Sequence, residues 1–308
     1  MNALPLTAFL STFTDYILPT YIVIGFGFVL DRVLPLEVKS LSKLILYVVS
    51  PCLAFSTMLE SSLSGAEFIQ IALFVPLITI CMWLISRSAS VILRFDESRT
   101  NAFLLGTLFL NTGNYGLSVV MSAFGQAAFE RALIFFTISS LLTYTIGVYF
   151  ASRRKASASQ ALRNVFLFPL TYAIVAAILF RALGWTVPQP GWRAIKLVST
   201  SAIPLMLLLL GAQLSRTRLS NEWWIVGLAT VLKLIVEPLV AFPLSHLFRM
   251  DDVTRQACIA ESGTPTAVMT AVLAVEFDAR PEFVTSVILI STLVSGLTMT
   301  VLLRLLGA

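Results

Sequence analysis

Asn111-Thr112-Gly113-Asn114-Tyr115-Gly116-Leu117-Ser118 lies inside a run, Thr100 to Phe129, that holds no charged residue. An apolar stretch longer than about 20 residues is membrane-depth sequence. Its centre is nevertheless a poor continuous helix. Each glycine weakens a helix interior by about 1 kcal/mol relative to alanine. Asparagine side chains compete for the backbone hydrogen bonds. The stretch therefore reads as a membrane helix with a break. Glu261-Ser262-Gly263-Thr264-Pro265-Thr266 reads the same way. Proline there lacks an amide donor and clashes with the preceding turn, at roughly 3 kcal/mol.

The rest of the chain agrees with a bilayer as solvent. Of 308 residues, 57% are hydrophobic and 12% charged, with mean hydropathy +0.90. A soluble domain carries roughly 25% charged residues. This composition excludes a soluble globular enzyme, a disordered chain and a secreted disulfide scaffold. The net charge of +5 falls between apolar runs, as the positive-inside rule expects, so the lipid bilayer is the expected partner and nucleic acid is not. Cys52, Cys81 and Cys258 form no CxxC pair, and His246 is the single histidine. No metal centre or cofactor is expected.

Ten spans are predicted, at about 10–31, 38–59, 67–93, 100–124, 130–152, 164–183, 194–214, 222–247, 254–276 and 283–305. They divide into a first five-helix unit (1–152), a basic linker (153–163) and a second unit (164–308). Placing that linker in the cytoplasm puts 13 lysines and arginines inside and 7 outside, with Lys233 within a span. Both termini are then expected on the outer side of the cell inner membrane. MNALPLTAF lacks the basic start of a signal peptide, so the first span is expected to be retained.

Short landmarks recur in order. Lys43-Leu44 with Pro51 matches Lys196-Leu197 with Pro204; Leu117 to Ala123 matches Pro265 to Ala271; Ser139-Ser140-Leu141 matches Ser291-Thr292-Leu293. Five spans per unit invert the second unit. The expected fold is an all-α polytopic membrane protein of ten transmembrane helices, two inverted repeats of five, with broken crossing helices four and nine.

Breaks at repeat-related positions point to a substrate site. Half-helix N-termini there favour an anion, and Asn111, Asn114, Ser118, Thr264 and Thr266 supply hydrogen-bond donors. Tyr115 and Pro265 complete the set of expected substrate-binding residues. A single break reads more readily as a packing kink; two at repeat-related positions favour the site. Four ionisable residues lie in or near spans. Asp15 reads as interfacial. Lys233 and Glu237, at i and i+4, read as a structural ion pair. Glu261 has no partner nearby in sequence, and is the candidate for a coupling sodium ion or proton.

Asn111 to Leu117 resembles the N-T-G-N-x-G-x-P stretch of bacterial members of the auxin efflux carrier family. Ala202 to Leu214 is similar to that family's seventh helix, and Glu261 to Glu276 to its ninth. The resemblance covers nearly the whole chain. It implies a scaffold domain and a transport domain, and membership of the superfamily that includes the bile-acid sodium symporters. It implies that Asn111 contacts a substrate carboxylate, that Pro265 is the ninth helix's crossover proline, and that Glu261 stands at a sodium-binding acidic position. Ser118 departs from the family pattern, which often has proline there.

The expected function is secondary transport of a small organic anion, such as a dicarboxylate or auxin-like acid, by alternating access. A sodium-coupled symporter of bile-acid type and a non-transporting receptor using the same site are the alternatives. A membrane enzyme finds no HExxH, Walker A or Ser/His/Asp set. A homodimer stays open as a partner, but the sequence marks no interface.

Overall fold

The computed structural model describes residues 6–152, 169–217 and 219–308. The basic linker expected at 153–163, and Arg218, lie outside them. Among the described residues the chain is helical and forms no strand beyond one isolated bridge. The helices are α1 (Leu6–Val33), α2 (Val38–Glu60), α3 (Gly65–Ile92), α4 (Glu97–Leu108), α5 (Thr112–Ala151), α6 (Pro169–Ala182), α7 (Gln189–Leu214), α8 (Trp223–Leu247), α9 (Asp252–Ser262), α10 (Met269–Glu276) and α11 (Pro281–Leu305). Seven of them, α1, α2, α3, α5, α7, α8 and α11, are long and apolar enough to cross a bilayer. Large apolar side chains such as Phe26, Ile92, Leu197 and Leu247 point outward. Hydroxyls such as Ser286, Ser291, Ser295 and Thr300 are buried. This arrangement suits lipid, where helices associate through small residues and interhelical hydrogen bonds. The chain is a multi-pass membrane protein.

Helix starts follow local chemistry. Ser64 and Glu67 close a capping box at α3, with Ser64 N–H donating to Glu67 Oε2 at 2.7 Å. Asp96 caps α4 by accepting from Arg99 N at 2.6 Å, and Asp251 caps α9 by accepting from Thr254 N at 2.7 Å. The turns before these two caps are alike. Arg94 and Arg249 both have positive φ, 53° and 51°. Leu93, Arg94 and Phe95 donate to Ala89, Val91 and Ser90; Phe248, Arg249 and Met250 donate to Leu244, His246 and Ser245. The expected spans 100–124 and 130–152 are reorganised: α4 stops at Leu108, and α5 runs on from Thr112 to Ala151. Gly125 interrupts α5 at φ 76°, ψ −167°, a conformation open to glycine because it has no Cβ.

Two packing groups emerge. α1 lies along the second half of α7, and α2 packs on α6 and the first half of α7. α3, α4, α5, α8, α9, α10 and α11 pack on one another. Within the first group a Cβ on Gly27 would overlap the Leu208 carbonyl, and one on Gly211 would overlap the Ile24 carbonyl. The α1 and α7 backbones therefore touch. Gly211→Val is expected to destabilise the protein by about 1–3 kcal/mol through overpacking. The thermal midpoint in detergent should fall, whereas Gly227→Ala, inside α8 and meeting nothing within 4 Å, should leave it unchanged or raise it slightly. The same pair is tied at its end by Asp31, which accepts from Arg216 Nε at 3.0 Å and Nη2 at 2.7 Å. Those hydrogen bonds hold the Arg216 guanidinium above its ordinary pKa.

Ion pairs mark the two ends of the second group. At the Gly65 end of α3, Arg131 pairs with Glu67 and lies 3.9 Å from Glu130. At the other end Glu222 accepts from Arg99 at 2.6 Å and Arg280 at 3.0 Å.

Candidate functional site

The two sequence breaks meet. α4 ends at Leu108, and Phe109 turns to extended backbone at φ −101°, ψ 132°. Asn111 N–H donates to the Pro265 carbonyl at 2.8 Å, and Ala267 N–H donates to the Phe109 carbonyl at 2.9 Å. These bonds frame an antiparallel bridge between Leu110 and Thr266. Backbone freed from helix at membrane depth needs partners in protein, since lipid offers none. Each break supplies the other's.

Side chains complete this pairing. Thr266 Oγ1 donates to the Gly106 carbonyl at 2.6 Å, and Thr266 N–H donates to Ser291 Oγ at 3.2 Å. Lys233 Nζ donates to the Thr107 carbonyl at 3.3 Å. On the α9 side Thr264 Oγ1 donates to the Glu261 carbonyl at 2.7 Å. The hydroxyls of Thr264 and Thr266 thus serve the crossing itself. Pro265, without an amide donor, contributes its carbonyl.

Beyond the break α5 restarts with a widened π turn, Thr112–Gly116, in which Tyr115 and Gly116 both donate to the Asn111 carbonyl. Such turns recur at functional sites. Asn111 Nδ2 is buried without a hydrogen-bond partner, and the Tyr115 hydroxyl is buried facing Tyr21 and Ser295. The Tyr115 ring meets Tyr21 edge-on at 6.2 Å. Ser118 shares a 3.1 Å hydrogen bond with Thr20. Asn114 is half-buried. Glu261 is fully buried, and neither carboxylate oxygen has a partner. It packs on Gly116: a Cβ there would overlap the carboxylate. The acidic residue of one break therefore sits against the other break.

Sequence reading did not single out Thr20, Tyr21 or Ser295, and used Ser291 and Thr292 only as a repeat landmark. Tyr21 donates to the Thr292 carbonyl and shares a 3.1 Å bond with Ser295. Gly296 leaves room for its ring. The available signal was the Ser291 and Ser295 spacing, which puts two hydroxyls on one face of α11. Asp15 is exposed beside Thr14. Lys233 and Glu237 form the expected pair, 2.8 Å apart and buried.

Multi-pass helices and two broken segments that bond to each other define a polytopic membrane protein of a kind seen among transporters. Comparison with known proteins agrees. The family described as "Membrane transport protein" matches residues 12–161 and again residues 151–303. The chain belongs to this family, the auxin efflux carrier family. An uncharacterized transporter of Methanothermobacter thermautotrophicus is 23% identical over 289 residues, covering 92% of this chain and 94% of that one. One from Methanocaldococcus jannaschii is 24% identical over 263 residues, covering 82% and 85%.

Proposed function

We propose that the protein is a secondary transporter that moves a small organic anion, a carboxylate, by alternating access at the crossing of its two broken helices. The observation that carries this reading is the unpartnered buried donor Asn111 Nδ2 beside the first turn of α5, next to the Tyr115 hydroxyl, which faces Tyr21 and Ser295. The first amides of a helix lack intrahelical partners and carry the positive end of its dipole. Together they form a neutral donor set suited to a carboxylate. Ser118 and Asn114 lie on the same segment.

The architecture proposed is ten helices in two inverted units of five. α5 is 40 residues long, about 60 Å at 1.5 Å per residue, or twice a hydrocarbon core. Gly125 divides it into the end of span four and all of span five. α9 and α10 are the halves of span nine. The like turns at Arg94 and Arg249, and the reciprocal bonds of the crossing, support the repeat. The units are residues 1–152 and 164–308. In this reading α1, α2, α6 and α7 form the scaffold, and the second packing group moves against it. Both termini face the outer side, which places Arg99, Arg216 and Arg280 in the cytoplasm.

Glu261 favours cation coupling as a second reading of the same site. An uncompensated buried charge costs several kcal/mol. A sodium ion or a proton at Glu261 removes that cost, and its arrival or departure would couple to transport.

Thermal stabilisation tests the site. A carboxylate present at about 100 times its Kd stabilises the folded state by about 2.7 kcal/mol. The expected result is a raised midpoint for wild type and none for Asn111→Ala, followed by flux of that carboxylate into liposomes. Stabilisation by neutral or cationic solutes alone would sink the anion reading. Binding without flux would leave a receptor.

A further inference from the structure

Lys233 sits on α8 in a π turn, Leu232–Val236, and is fully buried. Its ammonium has three donors. One goes to Glu237 Oε2 at 2.8 Å and one to the Thr107 carbonyl at 3.3 Å. Thr107 lies in the last turn of α4, two residues before the crossing. The last carbonyls of a helix are unpaired and carry the negative end of its dipole, where a cation is stabilising. Glu237 holds the ammonium in place from the other side.

α9, the other half-helix that ends at the crossing, is built differently. The turns at Arg94 and Arg249 set the register between α3 and α8, and in that register Ile78 stands for Lys233 and Met82 for Glu237. Both are fully buried and apolar. The α9 end carries Glu261, an acid without a partner. One half-helix end thus holds a covalent cation and the other an uncovered anion.

We propose that the Lys233 ammonium is a built-in cation for the crossing. It is a positioning charge that holds the C-terminal end of α4, so that an exchangeable cation is needed at the Glu261 end alone. The last clause rests on the proposed cation reading of Glu261; the positioning role does not. A merely structural pair would tolerate neutral replacement, since buried ion pairs often do.

Two variants test this by hydrogen exchange on the full chain in lipid nanodiscs. In Lys233→Met/Glu237→Gln, exchange at the Asn111 and Ala267 amides is expected to rise about tenfold, with the Gly27 to Gly211 contact region unchanged. Exchange within about twofold of wild type at the crossing, or a uniform rise across the chain, would overturn the proposal. In Lys233→Ala, methylammonium is expected to restore crossing protection to within about twofold of wild type, and tetramethylammonium at equal ionic strength is not. Equal effects of the two cations would also overturn it. If Lys233→Ala does not fold, the double variant decides alone.

Sodium titration of the thermal midpoint tests the count. The expected result is one saturable phase in wild type, absent from Glu261→Gln, with a second phase gained in Lys233→Ala. A second phase already present in wild type overturns the count. Identical responses of wild type and Glu261→Gln overturn the Glu261 reading, and leave the positioning role to the exchange result.

Discussion

Gly116→Val is expected to lower the thermal midpoint by several degrees and to abolish carboxylate-dependent stabilisation. The glycine is one of the points at which the two breaks touch. A Cβ at Gly116 would overlap both oxygens and the carboxyl carbon of Glu261. The carboxylate has little room to yield, because it is fully buried on α9. Overpacking a filled interior costs about 1–3 kcal/mol, and here the strain falls on the first turn of α5. Neighbouring Gly113 packs closely against the Phe136 ring, which limits movement of the same turn. The cause is checked by a double-mutant cycle. In a Glu261→Ala background the obstructing carboxylate is gone, so Gly116→Ala should cost at least about 1 kcal/mol less than in wild type. Additive effects would show that the two residues do not meet as described.

The largest purely structural loss is expected from Arg131→Met. Arg131 pairs with Glu67 and also donates to the Ala127 carbonyl at 2.9 Å and to Thr254 Oγ1 at 3.4 Å. The side chains of Arg131 and Glu67 are only 10% and 16% exposed. Removing the cation leaves Glu67 only its Ser64 amide donor, and breaking a largely buried pair costs up to about 3–5 kcal/mol. Neutralising both partners in Arg131→Met/Glu67→Gln should recover much of that loss. Glu130 keeps its own donors, Ser61 Oγ at 2.7 Å and Ser62 N–H at 3.2 Å. Arg255→Met is the control. Its partner Asp252 is 81% exposed, and breaking a surface pair of this kind costs under about 1 kcal/mol. Denaturation midpoints of the three variants would rank the sites.

Much of this was readable in one dimension. The charge-free run from Thr100 to Phe129 and the Gly, Asn and Pro residues within the two breaks are local features, and backbone propensity acts locally. The ends of α4 at Leu108 and α9 at Ser262 therefore lie close to where the sequence placed them. The i, i+4 spacing of Lys233 and Glu237 fixes their proximity on any helix, and they do pair. Span limits were less secure. α7 begins at Gln189 rather than near 194, because Pro188 and Pro190 open a first turn whose polar residues carry no hydropathy signal.

The tertiary partners were not readable. Thr264 and Thr266 present the same donors on paper as Asn111, yet their hydroxyls bond to the Glu261 and Gly106 carbonyls, while Asn111 Nδ2 stays unpaired. Tyr21 looks like any aromatic residue of a lipid-facing helix until Thr292, Ser295 and Gly296 receive it. By itself the sequence determined the solvent, the helical content and the two places where the helices must fail, because composition and local propensity act within a few residues of one chain. Only the tertiary structure decided which donors remain free, that Glu261 lies on Gly116 and that Lys233 reaches the end of α4. Those outcomes depend on which carbonyl or acid another helix brings within hydrogen-bond or contact distance, and spacing along one helix carries no record of that.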